Sequence, residues 1–391
     1  MPWIETCVMH QRLKFIADYL ENRYPLSERC RSYGISRKTG YKWVSRYEAD
    51  GLDGLKDQSR RPHGHPHTTD ACTREQIIQT KLAHQSFGPK KVVDYLRREQ
   101  PTRAWPADST VGEILKRAGL VKAKKRRARI GADSRPFQPC HQPNAVWSTD
   151  FKGHFALGKG TRCYPLTISD NDSRFILNCR GLSRIRESDV RPWFEWSFRE
   201  YGLPDAMRID NGPPFASLSL GGVGQLSKWW IKLGIKPERI EPGKPQQNGR
   251  HERMHRSLKA AVVSPPKYSM QAQQRAFDAF VMEFNVQRSH EALDRKTPSQ
   301  VYRPANRRYP ERIPDVVYDN GYRVRQVRQN GEIKWQGQLL YLSQVLAKEP
   351  IGFKQIEESL WEIYFSFYLL GMYDERQKSI TSCRQWHGKK T

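Results

Sequence analysis

The chain has no apolar run approaching the ~20 residues that would cross a bilayer, no leader-like opening and no Cys-x-x-Cys pair. Neither a membrane-spanning helix nor a secretory leader is therefore expected, and a zinc ribbon lacks its ligand spacing. The seven cysteines, Cys7, Cys30, Cys72, Cys140, Cys163, Cys179 and Cys383, are scattered. They read as reduced thiols of a cytoplasmic protein and not as a disulfide framework. His63, His65 and His67 alternate with Gly64 and Pro66, which describes a loop with incidental histidines better than a metal site. Acidic residues are also scarce, 41 against 67 Lys and Arg, leaving a net charge of +26. Such an excess points to a nucleic-acid partner, because cations that neutralise phosphates release counterions and bind strongly. At 391 residues and 37% hydrophobic content the chain can bury more than one core.

Three of the acids stand in distinctive surroundings. Asp150 ends the stretch Val146-Trp147-Ser148-Thr149-Asp150, Asp210 opens Asp210-Asn211-Gly212 after Arg208-Ile209, and Glu252 follows Asn248-Gly249-Arg250-His251 early in an expected helix. A carboxylate at a strand end is held by backbone that cannot wander, as a divalent ion with strict octahedral geometry requires. Two Mg²⁺ or Mn²⁺ ions roughly 4 Å apart on such carboxylates would activate the attacking oxygen and stabilise the leaving oxygen of an in-line phosphoryl transfer. The competing reading is that each acid is an ordinary solvated strand or helix end, and the Asn-Gly turn signals beside two of them weigh against it.

These segments resemble the catalytic core of the retroviral integrase superfamily, and within it the bacterial insertion-sequence transposases with an Asp, Asp, Glu triad. The resemblance includes Ser173-Arg174 and the stretch Phe284-Asn285-Val286-Gln287-Arg288-Ser289-His290-Glu291-Ala292-Leu293, followed by Thr297-Pro298 and Tyr302. It implies an α/β RNase H-like core over 141–303 in which Asp150, Asp210 and Glu252 are catalytic and hold two Mg²⁺ (or Mn²⁺) ions. The interval between Asp210 and Glu252 is somewhat longer than in retroviral integrases, and the surplus is expected in a surface loop over Ala216 to Gly224. Arg256 and Lys259 lie four and seven residues after Glu252, on its face of the helix. Matching lysines in retroviral integrases contact the DNA end, whereas an ion pair that merely supports the helix is the alternative. Asp170 and Asp172 are expected to shape a turn, and Glu241 is the nearest understudy for a ligand.

Ahead of the core the pattern is helical. Thr6 to Asn22, Leu26 to Tyr33 and a helix capped by Ser36 and running through Tyr47 make a helix-turn-helix domain over 1–57, with Gly34-Ile35-Ser36 as the turn. Its third helix would present Arg37, Lys38, Thr39 and Lys42 to the major groove. A plain bundle with a solvated basic face is the alternative. Helices at Thr73 to His84, around Gly88 to Leu96 and from Ser109 to Gly119 form a second such domain over 70–121. The linker 122–140 carries six basic residues in the eight from Lys122 to Arg129, among them Lys124, Lys125, Arg126 and Arg127, and would track phosphate backbone.

Within the core, strands are expected near Val146 to Lys152, Cys163 to Ser169, Phe175 to Cys179, Ala206 to Ile209 and Glu238 to Glu241. Helices are expected at Glu187 to Tyr201, Gln225 to Leu233 and Asn248 to Ala261, the first burying Trp193, Phe194, Trp196 and Phe198. Short alternating segments after Pro304 read as a small C-terminal β-barrel with a basic tail over 310–391. The sum is a multidomain transposase that binds double-stranded DNA at its element's terminal inverted repeats, exposes a 3′-hydroxyl and joins it to target DNA. It would act as at least a dimer on the bacterial nucleoid, with no membrane partner. A transposase-derived regulator without catalysis and an RNase H-like nuclease are the rival readings.

Overall fold

A computed structural model describes residues 7–59, 68–121, 140–215, 217, 219–241 and 245–383. The chain divides into two units, Met1–Thr69 and Asp70–Thr391.

The first unit is the expected helix-turn-helix. Helix α1 (Val8–Leu20), α2 (Leu26–Ser32) and α3 (Arg37–Asp50) pack around Phe15, Ile16, Cys30, Trp43 and Val44. Gly34 takes a φ of 64° at the turn, and Ser36 Oγ accepts from the Thr39 amide at 3.2 Å, capping α3 as its sequence predicts. Gly40 lets α3 lie against α2, since a Cβ there would sit 2.4 Å from Cys30 Sγ. A 3₁₀ turn at Gly51–Leu55 extends the domain a little beyond the expected third helix and buries Leu55.

The second unit begins with another three-helix module, α4 (Ala71–Ala83), α5 (Pro89–Glu99) and α6 (Asp108–Arg117), built around Ile77, Phe87, Val92, Val93, Val111 and Leu115. Asp70 caps α4 by accepting from the Thr73 amide at 2.8 Å. The module is fastened to the domain behind it by Arg295, whose Nε donates to Asp94 at 2.6 Å and whose Nη2 donates to Asp108 at 2.9 Å. Ser289 Oγ also donates to Asp94 at 2.6 Å, and Arg98 donates to the Gln287 carbonyl.

The central domain is a mixed sheet ordered β4-β3-β1-β5-β6: β1 (Val146–Phe151), β3 (Arg162–Asp170), β4 (Ile176–Leu182), β5 (Ala206–Ile209) and β6 (Lys236–Arg239). The two-residue β2 (Phe155–Ala156) pairs the start of β3. Strands β1, β3 and β4 are antiparallel, whereas β5 and β6 run parallel to β1. Helices α7 (Glu187–Tyr201) and α8 (Gln225–Lys232) cover one face through Phe194, Phe198, Leu226 and Trp230. Helices α9 (Gly249–Leu258) and α10 (Met270–Met282) cover the other through Met254, Leu258 and Phe277. This is the RNase H-like order. Strand β6 begins two residues before its expected start, and Trp196 is exposed, not buried: it packs edge-on against Tyr201 and borders an open hollow beside β4. A last short helix, α11 (Pro298–Val301), leads to Tyr302, whose hydroxyl donates to Asn144 Oδ1 at 2.9 Å and closes the domain.

The C-terminal domain departs from expectation: it is not a closed barrel. Its main sheet is open, ordered β13-β12-β11-β10-β7, from β7 (Arg323–Gln326), β10 (Pro350–Glu357), β11 (Leu360–Phe365), β12 (Tyr368–Asp374) and β13 (Ser379–Ser382). A separate hairpin, β8 (Glu332–Trp335) and β9 (Gln338–Tyr341), packs Ile333, Trp335 and Leu340 among Phe353, Trp361 and Ile363. The apolar surface is thus covered face to face, so the edges β7 and β13 have no need to meet. The interval before α8 is also not a free surface loop. Gly221, Gly222 and Val223 are buried, and a Cβ on Gly221 would lie 2.9 Å from Leu370 Cα, so this stretch seats the C-terminal sheet on the core.

Replacing Arg295 with Ala leaves the nearly buried Asp94 without its cation. The α4–α6 module is expected to lose about 1–3 kcal/mol, read as faster amide exchange in those helices than in the central sheet.

Candidate active site

The register of β1 on β5 places two of the three acids together. Val146 faces Ala206 and Ser148 faces Arg208 in parallel pairing, and the same step continued brings Asp150 level with Asp210 at the carboxyl ends of adjacent strands. Neighbouring strands lie about 4.8 Å apart, and in-register parallel residues project to the same face. The Gly212 amide donates to Asp210 Oδ1 at 3.1 Å, so the tight turn after β5 fixes that carboxylate. Glu252 lies in the first turn of α9, exposed, on a helix held to the sheet by His251, Met254, His255 and Leu258.

Asp210 and Glu252 both act electrostatically on Asp150. Burial, then the charge of Asp210 and more weakly that of Glu252, push the Asp150 carboxyl up to about 7. Among the described residues, no group of three or more His, Cys, Asp or Glu is placed to hold a metal ion. Two carboxylates are paired on the strands, and the third stands at the helix edge.

Behind Asp150 lies a polar network that sequence reading missed. Thr167 Oγ1 donates to the Asp150 carbonyl at 3.0 Å and meets His251 Nε2 at 2.8 Å and His255 Nε2 at 2.6 Å. A hydroxyl has one proton, so with that proton on the carbonyl both imidazoles must donate from Nε2. His251 Nδ1 then accepts from Ser169 Oγ at 2.8 Å. The bare Nδ1 of His255 is left facing Asp150 Oδ2 at 3.6 Å. Burial holds both rings neutral, lowering His251 to about 3 and His255 to about 2. The spacing of the two histidines, four apart on the buried side of α9, was the available signal. The network ties α9, and with it Glu252, to the strand that carries Asp150.

The other expected residues divide. Arg256 and Lys259 are exposed on the Glu252 side of the helix, although the α-helix ends at Leu258 and Lys259 opens a π-turn. Arg37, Lys38 and Lys42 are exposed at the start of α3, and Lys42 Nζ lies 4.5 Å from the Trp43 ring. Thr39 is half-buried, its hydroxyl 2.9 Å from Ser36 Oγ, and so supports the cap. Lys124, Lys125, Arg126 and Arg127 lie outside the described residues, as do His63, His65 and His67. Asp170 shapes its turn as expected, accepting from the Asn144 and Ser173 amides at 2.8 and 2.7 Å. Glu241 is engaged by Gln247, which bonds both its amide and its carboxylate.

Comparison with known proteins agrees with this architecture. Two integrase core domain models match residues 140–245 and 233–298, a helix-turn-helix domain model matches 11–63, and a homeodomain-like model matches 39–115. The chain is 28% identical over 259 residues to a 31.7 kDa protein of insertion element IS407 from Burkholderia multivorans, covering 66% of this chain and 90% of that one. It is 26% identical over 268 residues to a 39.2 kDa protein of insertion element IS476 from Xanthomonas euvesicatoria, covering 68% and 75%. Among solved structures it is similar to the HTLV-2 integrase catalytic core domain in complex with magnesium, at 17% identity and a TM-score of 0.33 over 41% of this chain and 98% of that one. The domain models define helix-turn-helix domains ahead of an integrase core. With its likeness to proteins of two insertion elements, the chain is similar to the insertion-sequence transposases of the integrase superfamily.

Two outcomes test the geometry. A carboxyl raised from 3.8 to about 7 on folding contributes full stability below its unfolded pKa and loses it as pH climbs through 7. Asp150→Asn, measured without metal, is therefore expected to melt above wild type at about pH 8, by on the order of 1–2 kcal/mol, with the advantage shrinking towards pH 4. Thr167→Val strips the acceptor from two buried imidazole N–H groups. It is expected to cost about 2–4 kcal/mol in urea unfolding, more than the same change at an exposed threonine.

Proposed function

We propose that Asp150, Asp210 and Glu252 form the catalytic triad of a transposase that cuts at the terminal inverted repeats of its own element and joins the freed 3′-hydroxyl to target DNA. The observation that carries this reading is the parallel register of β1 on β5, which continued by two residues brings Asp150 level with Asp210, with the Asp150 carboxyl raised by burial and then by its acidic neighbours. Two neighbouring carboxyls, one of them largely withdrawn from water, would be relieved by a bound cation, and their oxygen donors suit Mg²⁺ or Mn²⁺. Bound there, two such ions would supply activation of the attacking oxygen and stabilisation of the leaving one.

The chain's own residues do the rest. To act as a ligand Asp150 must give up its proton, against the lone pair of the neutral His255 Nδ1 that faces it at 3.6 Å. Glu252 completes the oxygen set from the helix edge, while Arg256 and Lys259 on the same side hold the phosphates of the cut strand. Arg37, Lys38 and Lys42 on α3 read the repeat in the major groove, with α4–α6 and the linker basic residues Lys124, Lys125, Arg126 and Arg127 extending the grip along the backbone. Two element ends require at least two copies on DNA, and such work places the protein on the bacterial nucleoid.

The test is a strand-transfer assay with a labelled duplex of the element's own end in Mg²⁺ or Mn²⁺. Wild type should yield joined products, and Glu252→Gln should lower them about a hundredfold or more while DNA binding persists. Cleavage without joining would replace this reading with a nuclease, and binding without chemistry would replace it with a regulator.

A further inference from the structure

Helix α9 carries a second basic flank that the proposed chemistry does not use. At about 100° per residue, Arg250, Arg253 and Ser257 form a separate flank, turned about 100–160° round the helix from Glu252. They border a cavity of about 270 Å³ whose other walls include Lys91 from α5, Arg174 from the β3–β4 turn, and Arg288 and His290 after α10. Two acids also line it, and both are engaged elsewhere: Asp170 with the Ser173 and Asn144 amides, and Glu291 with Lys90 at 3.2 Å. Among the described residues none of the four arginines forms an ion pair with a carboxylate. Arg174 Nη1, Arg288 Nε and His290 Nε2 are buried with no hydrogen-bond partner. Arg250 spends one Nη on the Asn171 carbonyl at 2.9 Å.

Buried guanidinium donors without acceptors are costly, and several cations around one hollow repel each other. The arrangement also depresses them: burial and the neighbouring Arg250 and Arg253 lower Arg174 to about 10. Arg174 is further held at a φ of 65°, left-handed backbone that a non-glycine residue adopts at a cost. A tetrahedral oxyanion would satisfy these donors at once, and guanidinium forks match its geometry.

We propose that this cavity is a phosphate-binding pocket that takes one backbone phosphate of bound DNA. It sits where β1 begins, because Asp170 pairs with Trp147, whereas Asp150 lies three residues further along that strand. At about 3.3 Å per residue the two sites are about 10 Å apart along β1, a separation that phosphates one or two steps apart on a DNA strand would span. One flank of α9 thus addresses the reacting phosphate and the other a neighbouring one, with Lys91 joining from the second helical module. The choice of DNA as the source of that phosphate rests on the transposase reading.

The experiment compares full-length wild type with Arg253→Gln, an exposed change that spares the fold, and with the more buried Arg288→Gln. Inorganic phosphate should raise the melting temperature of wild type more than potassium chloride of equal ionic strength, and both variants should lose at least half of that excess. In duplex binding, Arg253→Gln should lower the slope of log affinity against log salt by about one. No excess phosphate stabilisation in wild type overturns the pocket. Phosphate stabilisation with an unchanged salt slope overturns DNA as its ligand in favour of a free anion. Glu252→Gln should retain both signals, so a wild type that joins no DNA yet shows them would sink the transposase reading and leave the pocket standing.

Discussion

The crowding of two carboxyl groups, and of the charge they carry when ionised, at the ends of two neighbouring parallel strands is the constraint on which the rest of the molecule depends. Water would disperse that charge at little cost, but Asp150 is mostly withdrawn from solvent and shares its space with Asp210. The fold tolerates the cost because the acids sit at strand ends, where the sheet over-determines the backbone. The layers that buttress the sheet, with Phe194, Phe198 and Trp230 on one side and Met254, Leu258 and Phe277 on the other, keep both strands from relaxing apart.

The same constraint explains why the neighbourhood of Asp150 is polar yet neutral. Thr167, Ser169, His251 and His255 satisfy one another and leave no ionised group behind the carboxylate. A buried cation there would pair with the carboxylate and quench its charge. Positive charge is instead displaced to the two outer flanks of α9, where it faces outwards or into the cavity.

The appended domains bind to this core by different physics. The second helical module is fixed by a charged clamp in which Arg295 bridges Asp94 and Asp108, a contact of high directionality and small area. The C-terminal sheet is fixed by apolar burial, with Val223 and Ile231 of the core inside its cluster and Lys232 reaching Glu349 at 3.1 Å. Closing a barrel would add nothing to a sheet whose exposed face is already covered by a hairpin and by the core.

Local sequence determined a good deal: the caps at Ser36 and Asp70, the three helices of each N-terminal module, the strand and helix order of the core, and the turn after Asp210. Each of these is set by neighbours within a few residues, through capping, glycine at a turn or a repeating apolar pattern. It also marked the three acids by their surroundings. Which partners they meet was decided only by tertiary structure. The level pairing of Asp150 with Asp210 depends on the register of strands far apart in sequence, the histidine network on α9 crossing β3, and the arginine cavity on four separate segments converging. Trp196, read as core, and the Ala216 to Gly224 stretch, read as loop, show the same limit. Periodicity tells how a segment repeats, but what covers it is settled by chain that is distant in sequence, and burial energy belongs to the pair of surfaces that meet.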